Sequence, residues 1–165
     1  MKTQIYLTAL VAFLLASCAT PYQSAEGSLM GGFTDKVLGG GFYTVNFAGN
    51  GYTNKTRTSD LALLRACELA QRDGYAKFII LGARNNTTVD YAQSPGYLTT
   101  TGNYSSGSYT SSTVYIPPTN IAISKPDTNV SIQGLRASSK KGISIDNTVQ
   151  KLRAKYKIKV PEKED

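Results

Sequence analysis

Residues 59–83 read SDLALLRACELAQRDGYAKFIILGA, and this stretch decides the fold. Leu63, Ala66, Cys67 and Ala70 recur at the spacing of one helix face, and Leu64 and Leu69 widen the stripe. Ser59 or Asp60 can accept from the first free amides, and Gly74 stands where a helix stops. Residues 78–81 then form an unbroken apolar run, the pattern of a central strand buried on both faces.

Upstream, GFYTVNF alternates, with Tyr43, Val45 and Phe47 on one side and Thr44 and Asn46 on the other. That is a strand with one wet face, closed by the turn pair Asn50-Gly51. Strand, helix and strand in this order predict a crossover unit, for which a right-handed connection is the rule. Downstream, residues 85–118 are nearly all Ser, Thr, Gly, Asn and Tyr. They bury too little apolar surface to offset the entropy of ordering a separate core, so they read as a long excursion, partly mobile or partly an extended hairpin. In NIAISKPDTNVSIQGL the alternation returns, with Ile121 and Ile123, then Val130 and Ile132, around KPDTN, which predicts a hairpin. SIDNTVQKLRAKYKI predicts a second helix, with Asp146 as N-cap and Val149, Leu152 and Tyr156 along one face. The expected architecture is α+β, in the order β-α-β-β-β-α: two helices packed on one face of a mixed four-stranded sheet, with the Ser/Thr/Tyr-rich excursion emerging from it.

The chain opens MKTQIYLTALVAFLLASC. Lys2 is a minimal positive flank, and residues 5–16 are apolar and uncharged, too few for the roughly 20 that span a bilayer core. They fit the h-region of a secretory signal. An ordinary signal cut near Ala16 or Ala19, or an uncleaved anchor, would share that pattern. The set Leu15-Ala16-Ser17-Cys18 resembles the lipobox of bacterial lipoproteins: an aliphatic residue, two small residues and a cysteine. The resemblance implies that residues 1–17 are a lipoprotein signal peptide, with Leu15, Ala16 and Ser17 recognised by the signal peptidase. It also implies that the Cys18 thiol carries diacylglycerol as a thioether. Two acyl chains give stable attachment, each buried methylene contributing about 0.8 kcal/mol. Ala19 stands where an aspartate would resemble an inner-membrane retention signal, which favours the outer membrane, facing the periplasm or the cell surface. Behind the cysteine, the Gly-rich residues 18–40 read as a lipidated flexible tether. Residues 41–160 read as a single domain and 161–165 as a charged tail.

With 18 Lys and Arg against 11 Asp and Glu, the formal net charge is +7. Outside the cytoplasm such a balance points to anionic lipid head groups, lipopolysaccharide phosphate or acidic wall polymer rather than nucleic acid, or to solubility alone. With Cys18 lipidated, only Cys67 remains and no intrachain disulfide can form. The chain has no histidine, which removes the commonest general base, the Ser-His and Cys-His pairs and most zinc sites. Asp60, Glu68 and Asp73 lie along one helix, Asp90 and Asp127 in turn-like contexts, and Glu162, Glu164 and Asp165 in the tail, so no acid–base pair stands out. Cys67 lies inside an apolar stripe and reads as packing. Gly39-Gly40-Gly41 precedes a strand rather than a helix, the wrong context for a phosphate loop. No metal, cofactor or catalytic residue is expected.

Two features can support binding. Tyr91, Tyr97, Tyr104, Tyr109 and Tyr115 run through the excursion, and their flat faces and polar tips suit sugar rings, peptides or a protein interface, or else fold back on a sheet edge. Lys151, Arg153, Lys155, Lys157 and Lys159 cluster near the C-terminus, as contacts to anionic lipid or as a solvated helix end.

TPYQ after the lipid cysteine, VNFAGNGYT, LLRACELAQRDGYAKFIIL, the excursion, SKPDTNVSIQ and the closing DNTVQKLRAKYKI together resemble a family of small uncharacterised proteobacterial outer-membrane lipoproteins. Its last helix usually opens with a Tyr-Asp-Ala type sequence, where this chain has Ile145-Asp146-Asn147. The resemblance implies envelope placement and supplies no active-site residues. The expectation is a non-enzymatic lipoprotein that binds another envelope protein or glycan. The rival is a periplasmic hydrolase acting on wall or lipid material, with polar groups converging near Asp90 or Ser94; a stress sensor would share every feature of the first.

Overall fold

The computed structural model describes residues 19–159. Leu15, Ala16, Ser17 and Cys18, the rest of the leader and the tail 161–165 lie outside the described residues. In chain order the elements are β1 (Gly32–Gly39), β2 (Phe42–Ala48), α1 (Lys55–Arg72), β3 (Lys77–Ser94), β4 (Tyr97–Ser105), β5 (Ser108–Ile116), β6 (Thr119–Leu135), β7 (Ile143–Ser144) and α2 (Ile145–Tyr156). The fold is α+β: a five-stranded sheet in the order β1-β2-β6-β3-β7, and a two-stranded sheet of β4 and β5. The single domain expected divides into two compact units. One combines the chain up to Thr88 with the chain from Lys125 onward; the other is Val89–Ser124.

In the first unit, β1 pairs antiparallel with β2, and β2 antiparallel with β6. The Ala76 amide donates to the Leu135 carbonyl, and Asn85 accepts from Thr128, so β3 runs opposite to β6. β2 and β3 are therefore parallel, joined by α1 with β6 inserted between them. The alternation of β2 determines which face is dry. Tyr43, Val45 and Phe47, with Val130 and Ile132 of β6, meet Leu61, Leu64, Cys67 and Leu69 of α1 and Ile145, Val149 and Leu152 of α2 in one core. The intervening Thr44, Asn46 and Ser131 face away, beside a polar groove of about 520 Å³ lined also by Arg84, Asn86 and Asn129.

The fifth strand comes from residues read as tether. Gly31 and Gly32 are not there for flexibility. Their φ values are +85° and +144°, and a Cβ would stand 2.3 Å from the Ala48 carbonyl oxygen and 2.4 Å from that of Gln23. Glycine is needed because backbones approach too closely for a side chain. The segment before them is fastened as well. Thr20 is fully buried; its amide donates to Thr53 Oγ1 at 2.8 Å, its hydroxyl donates to the Met30 carbonyl at 2.8 Å, and the Asn50 amide donates to that hydroxyl at 2.8 Å.

Three further expectations are corrected. KPDTN is not a turn, for β6 runs straight through it. The Pro126 carbonyl accepts from Gly49, so the edge on which proline lacks its N–H faces β2 just where β2 ends, and the ladder loses little. The apolar run at 78–81 is not buried on both faces: Phe78 is buried, but Ile80 and Leu81 are about half exposed. The outer neighbour, β7, has two residues and pairs only with Lys77 and Phe78, so β3 becomes an edge strand beyond them. The helix caps are also displaced. Asn54, not Ser59 or Asp60, caps α1, its side chain accepting from the Arg57 amide at 2.8 Å; Ser144, not Asp146, caps α2. Ser59 instead joins Thr58, Thr128 and Asn85 in a hydroxyl–amide chain that ties α1 to β6 and β3. At the other end of α1 the stop is as expected: Gly74 has φ +83°, with Gly74 and Tyr75 amides closing on Gln71 and Ala70.

The first turn of α1 carries Lys55 and Arg57 and no acidic residue, so nothing offsets the positive end of its dipole. The cap therefore matters. Asn54→Ala should lower stability by about 1 kcal/mol, read as a shifted urea midpoint with an unchanged slope.

The second unit is built on the β4–β5 hairpin. Its two-residue loop, Ser106-Gly107, has φ +51° and +79°, the type I′ geometry that matches strand twist. Every residue of β4 is exposed, and in β5 only Ile116 is partly covered, so the hairpin reading of the excursion holds for 97–116 and no core forms there.

Candidate functional site

Helical periodicity brings Arg57, Arg65 and Glu68 onto one stripe of α1, since they are eight and three residues apart. Against this stripe lie Arg153 and Tyr156 of α2, the continuation Lys157–Ile158–Lys159, Phe33 of β1, and Pro21 and Tyr22 of the N-terminal segment. Together they line an open groove of about 610 Å³ that holds five cations and one carboxylate.

Glu68 organises its floor. One oxygen accepts from Arg153 Nε at 3.0 Å and from a terminal guanidinium nitrogen at 2.7 Å, and the other accepts from the Tyr22 hydroxyl. Burial and that bond to a carboxylate push the Tyr22 phenol well above its ordinary range. The other two arginines lie over rings. Arg57 Cζ is 4.9 Å from the centre of Tyr156, and Arg65 Cζ is 4.4 Å from the centre of Phe33. Arg57 also donates to the Thr20 carbonyl at 3.3 Å, and Arg65 approaches Asp35 at 3.4 Å. The Nε atoms of Arg57 and Arg65 are buried and have no hydrogen-bond partner within the protein. Lys157 closes α2 with φ +53°, a left-handed position at which glycine is the usual residue.

No family model, curated protein or solved structure matches the chain. Arg57 and Arg65 lie over aromatic rings while also contacting Thr20 and Asp35, and guanidinium groups so placed suit contact to phosphate or carboxylate oxygens. Among the described residues no cluster of His, Cys, Asp and Glu has the makings of a metal site, and no helix is long and apolar enough to cross a membrane.

The five clustered cations expected to act together are divided by the helix. Lys157 and Lys159 line the groove with Arg153, whose charge is already engaged by Glu68. Lys151 and Lys155 lie instead beside Asp60 and Leu63 in a smaller hollow, with Lys155 Nζ 2.6 Å from Asp60, a hydrogen bond that holds its ammonium pKa above the ordinary value. The reason is periodicity: residues two apart on a helix, such as Arg153 and Lys155, point to nearly opposite sides.

The tyrosines do not form one surface. Tyr104, Tyr109 and Tyr115 share a face of the hairpin with Leu98, whereas Tyr97 lies on the other face with Val114 and Ile116, and Tyr91 is on β3. Two of them serve their own ladder. A Cβ at Gly102 would stand 2.0 Å from the Tyr109 hydroxyl, and one at Gly96 would stand 2.5 Å from that of Tyr115, so each ring covers a glycine. Asp90 and Ser94, around which a hydrolase would converge, line none of the three grooves described. Cys67 is fully buried, and burial pushes its thiol up to about 12, as packing rather than redox chemistry requires.

Arg57, Arg65, Tyr22 and Phe33 were not singled out in the sequence. The spacing of Arg57, Arg65 and Glu68 was visible only once the helix was known to start at Lys55, because a start at Ser59 leaves Arg57 outside it.

Proposed function

We propose that this protein is a non-enzymatic lipoprotein of the outer membrane, anchored through diacylglycerol on Cys18, whose folded domain binds a component of the envelope. The lipobox Leu15-Ala16-Ser17-Cys18 supports the anchor. The observation that carries the reading is the burial of Thr20, locked to Thr53, Met30 and Asn50, two residues after Cys18. Two residues reach at most about 7 Å. A lipid on Cys18 would thus hold the folded unit against the bilayer, in place of the long tether that composition suggests. Arg57 donates to Thr20, and Pro21 lines the groove, so the basic surface lies at the anchored end.

Intact-mass analysis of the membrane-extracted protein tests this. The wild type should begin at Cys18 and carry the diacylglyceryl adduct, and Cys18→Ser should retain residues 1–17. An unmodified thiol on protein released freely from cells would refute the anchor.

A further inference from the structure

We infer that the groove between α1, α2 and the N-terminal segment is a binding site for the phosphate of an anionic lipid head group, with Arg57, Arg65 and Lys157 as its principal ligands. Three independent features lead there. First, the groove lining carries Arg57, Arg65, Arg153, Lys157 and Lys159 against Glu68 alone, and Glu68 is already engaged by Arg153, so positive charge is left in excess there. A phosphate oxygen is the acceptor that matches both that charge and the planar geometry of the guanidinium groups.

Second, two placements work against stability unless an anion is expected. Arg57 lies in the first turn of α1, where the helix dipole disfavours a cation and attracts an anion. Lys157 occupies a left-handed position that glycine would fill without strain. The charged side chains in these two places line a groove that has three further cations and one carboxylate.

Third, the groove is amphipathic and lies beside the chain end that leads to Cys18. Tyr22, Phe33, Tyr156 and Ile158 offer ring and aliphatic surface next to the cations, which suits the boundary between head groups and acyl chains. Pro21 on its rim is three residues from Cys18, about 11 Å of chain at most. Choosing a membrane lipid over free phosphate rests on the lipoprotein reading; the anion site itself does not.

The test is native mass spectrometry of the detergent-purified full protein with phosphatidylglycerol or phosphatidylcholine added at equal concentration, and with inorganic phosphate as a competitor. Phosphatidylglycerol should be retained about tenfold over the zwitterionic lipid, the value of one to two charge-assisted contacts. Arg57→Gln with Arg65→Gln should abolish that preference. Lys140→Gln with Lys151→Gln, which removes the same charge from exposed positions outside the groove, should leave it. Lys157→Gly guards against misfolding, since it relieves the backbone while deleting a cation: melting at or above the wild-type temperature with weakened retention supports the site. Equal retention of the two lipids, or equal loss in both double variants, would overturn it, and full displacement by millimolar inorganic phosphate would overturn the choice of a lipid in favour of free phosphate. Because the ratio is read without reference to Cys18, an unmodified thiol would refute the anchor and leave the groove standing.

Discussion

Raising the pH from 8 to 12 should unfold the protein, and the loss should begin with a single cysteine. The Cys67 thiol ordinarily titrates at 9.0 and is pushed up to about 12 by burial. An acid whose folded pKa is raised keeps its proton in the native state while the unfolded chain releases it. Stability is therefore complete below pH 9 and falls as pH rises toward 12, by about 1.4 kcal/mol per unit for one group. From pH 10 the Tyr22 phenol joins, because burial and the bond to Glu68 keep it protonated in the fold while the unfolded chain ionises. Tyr43, whose hydroxyl donates to the exposed Asp73, adds in the same direction. For Cys67 and Tyr22 alone the loss by pH 12 is on the order of 7 kcal/mol, comparable to the whole stability of a small domain. Urea unfolding at intervals across this range should show the slope at least doubling near pH 10. Cys67→Ala should move the onset from about pH 9 to about pH 10. A flat profile to pH 11, or an onset unmoved in that variant, would mean that these groups reach solvent in the native state.

Glu68→Ala should lower stability by about 3 kcal/mol, well beyond what a surface ion pair yields. The side chains of Glu68 and Arg153 are 13% and 18% exposed, so removing the carboxylate leaves a largely buried guanidinium without its counter-charge and the Tyr22 hydroxyl without its acceptor. Three segments come apart at this point: α1, α2 and the N-terminal strap. Much of the loss is the orphaned charge, so Glu68→Met combined with Arg153→Met should recover most of it. Asp60→Ala is the contrast. Its partner Lys155 is half exposed and the Tyr156 hydroxyl also donates to Asp60, so the change should cost about 1 kcal/mol, well short of the Glu68→Ala loss, in urea unfolding. A Glu68→Ala variant within 1 kcal/mol of the wild type, or a double variant as unstable as the single one, would show that the groove floor is better solvated than its geometry implies.

The parts of this molecule that could be read without coordinates are those in which the periodicity of a single segment decides burial. The α1 stripe and the Gly74 stop were legible because helix contacts repeat every three to four residues and Gly74 adopts a backbone angle that suits glycine. The dry face of β2 was legible because strand side chains alternate. Where the deciding neighbour is remote in sequence, the reading failed. Gly31 and Gly32 look like linker residues until Ala48 and Gln23 stand against them. Pro126 and Asp127 look like a turn until β2 is seen to end beside them. The run at 78–81 looks doubly buried until β7 turns out to be two residues long.

The groove follows the same division. Arg153, Lys157 and Lys159 were visible as local charge, and only the packing of α2 against α1 separates them from Lys151 and Lys155. Sequence alone determined the composition of the helices, the dry face of β2, the absence of histidine and the Leu15-Ala16-Ser17-Cys18 run that resembles a lipobox, all of them properties carried by neighbouring residues. Tertiary structure decided that the glycine-rich segment is an ordered edge strand, that Thr20 is buried, and that Arg57 and Arg65 line one groove with Lys157. The physical reason is that close backbone approach and unpaired buried donors exist only between segments far apart in the chain.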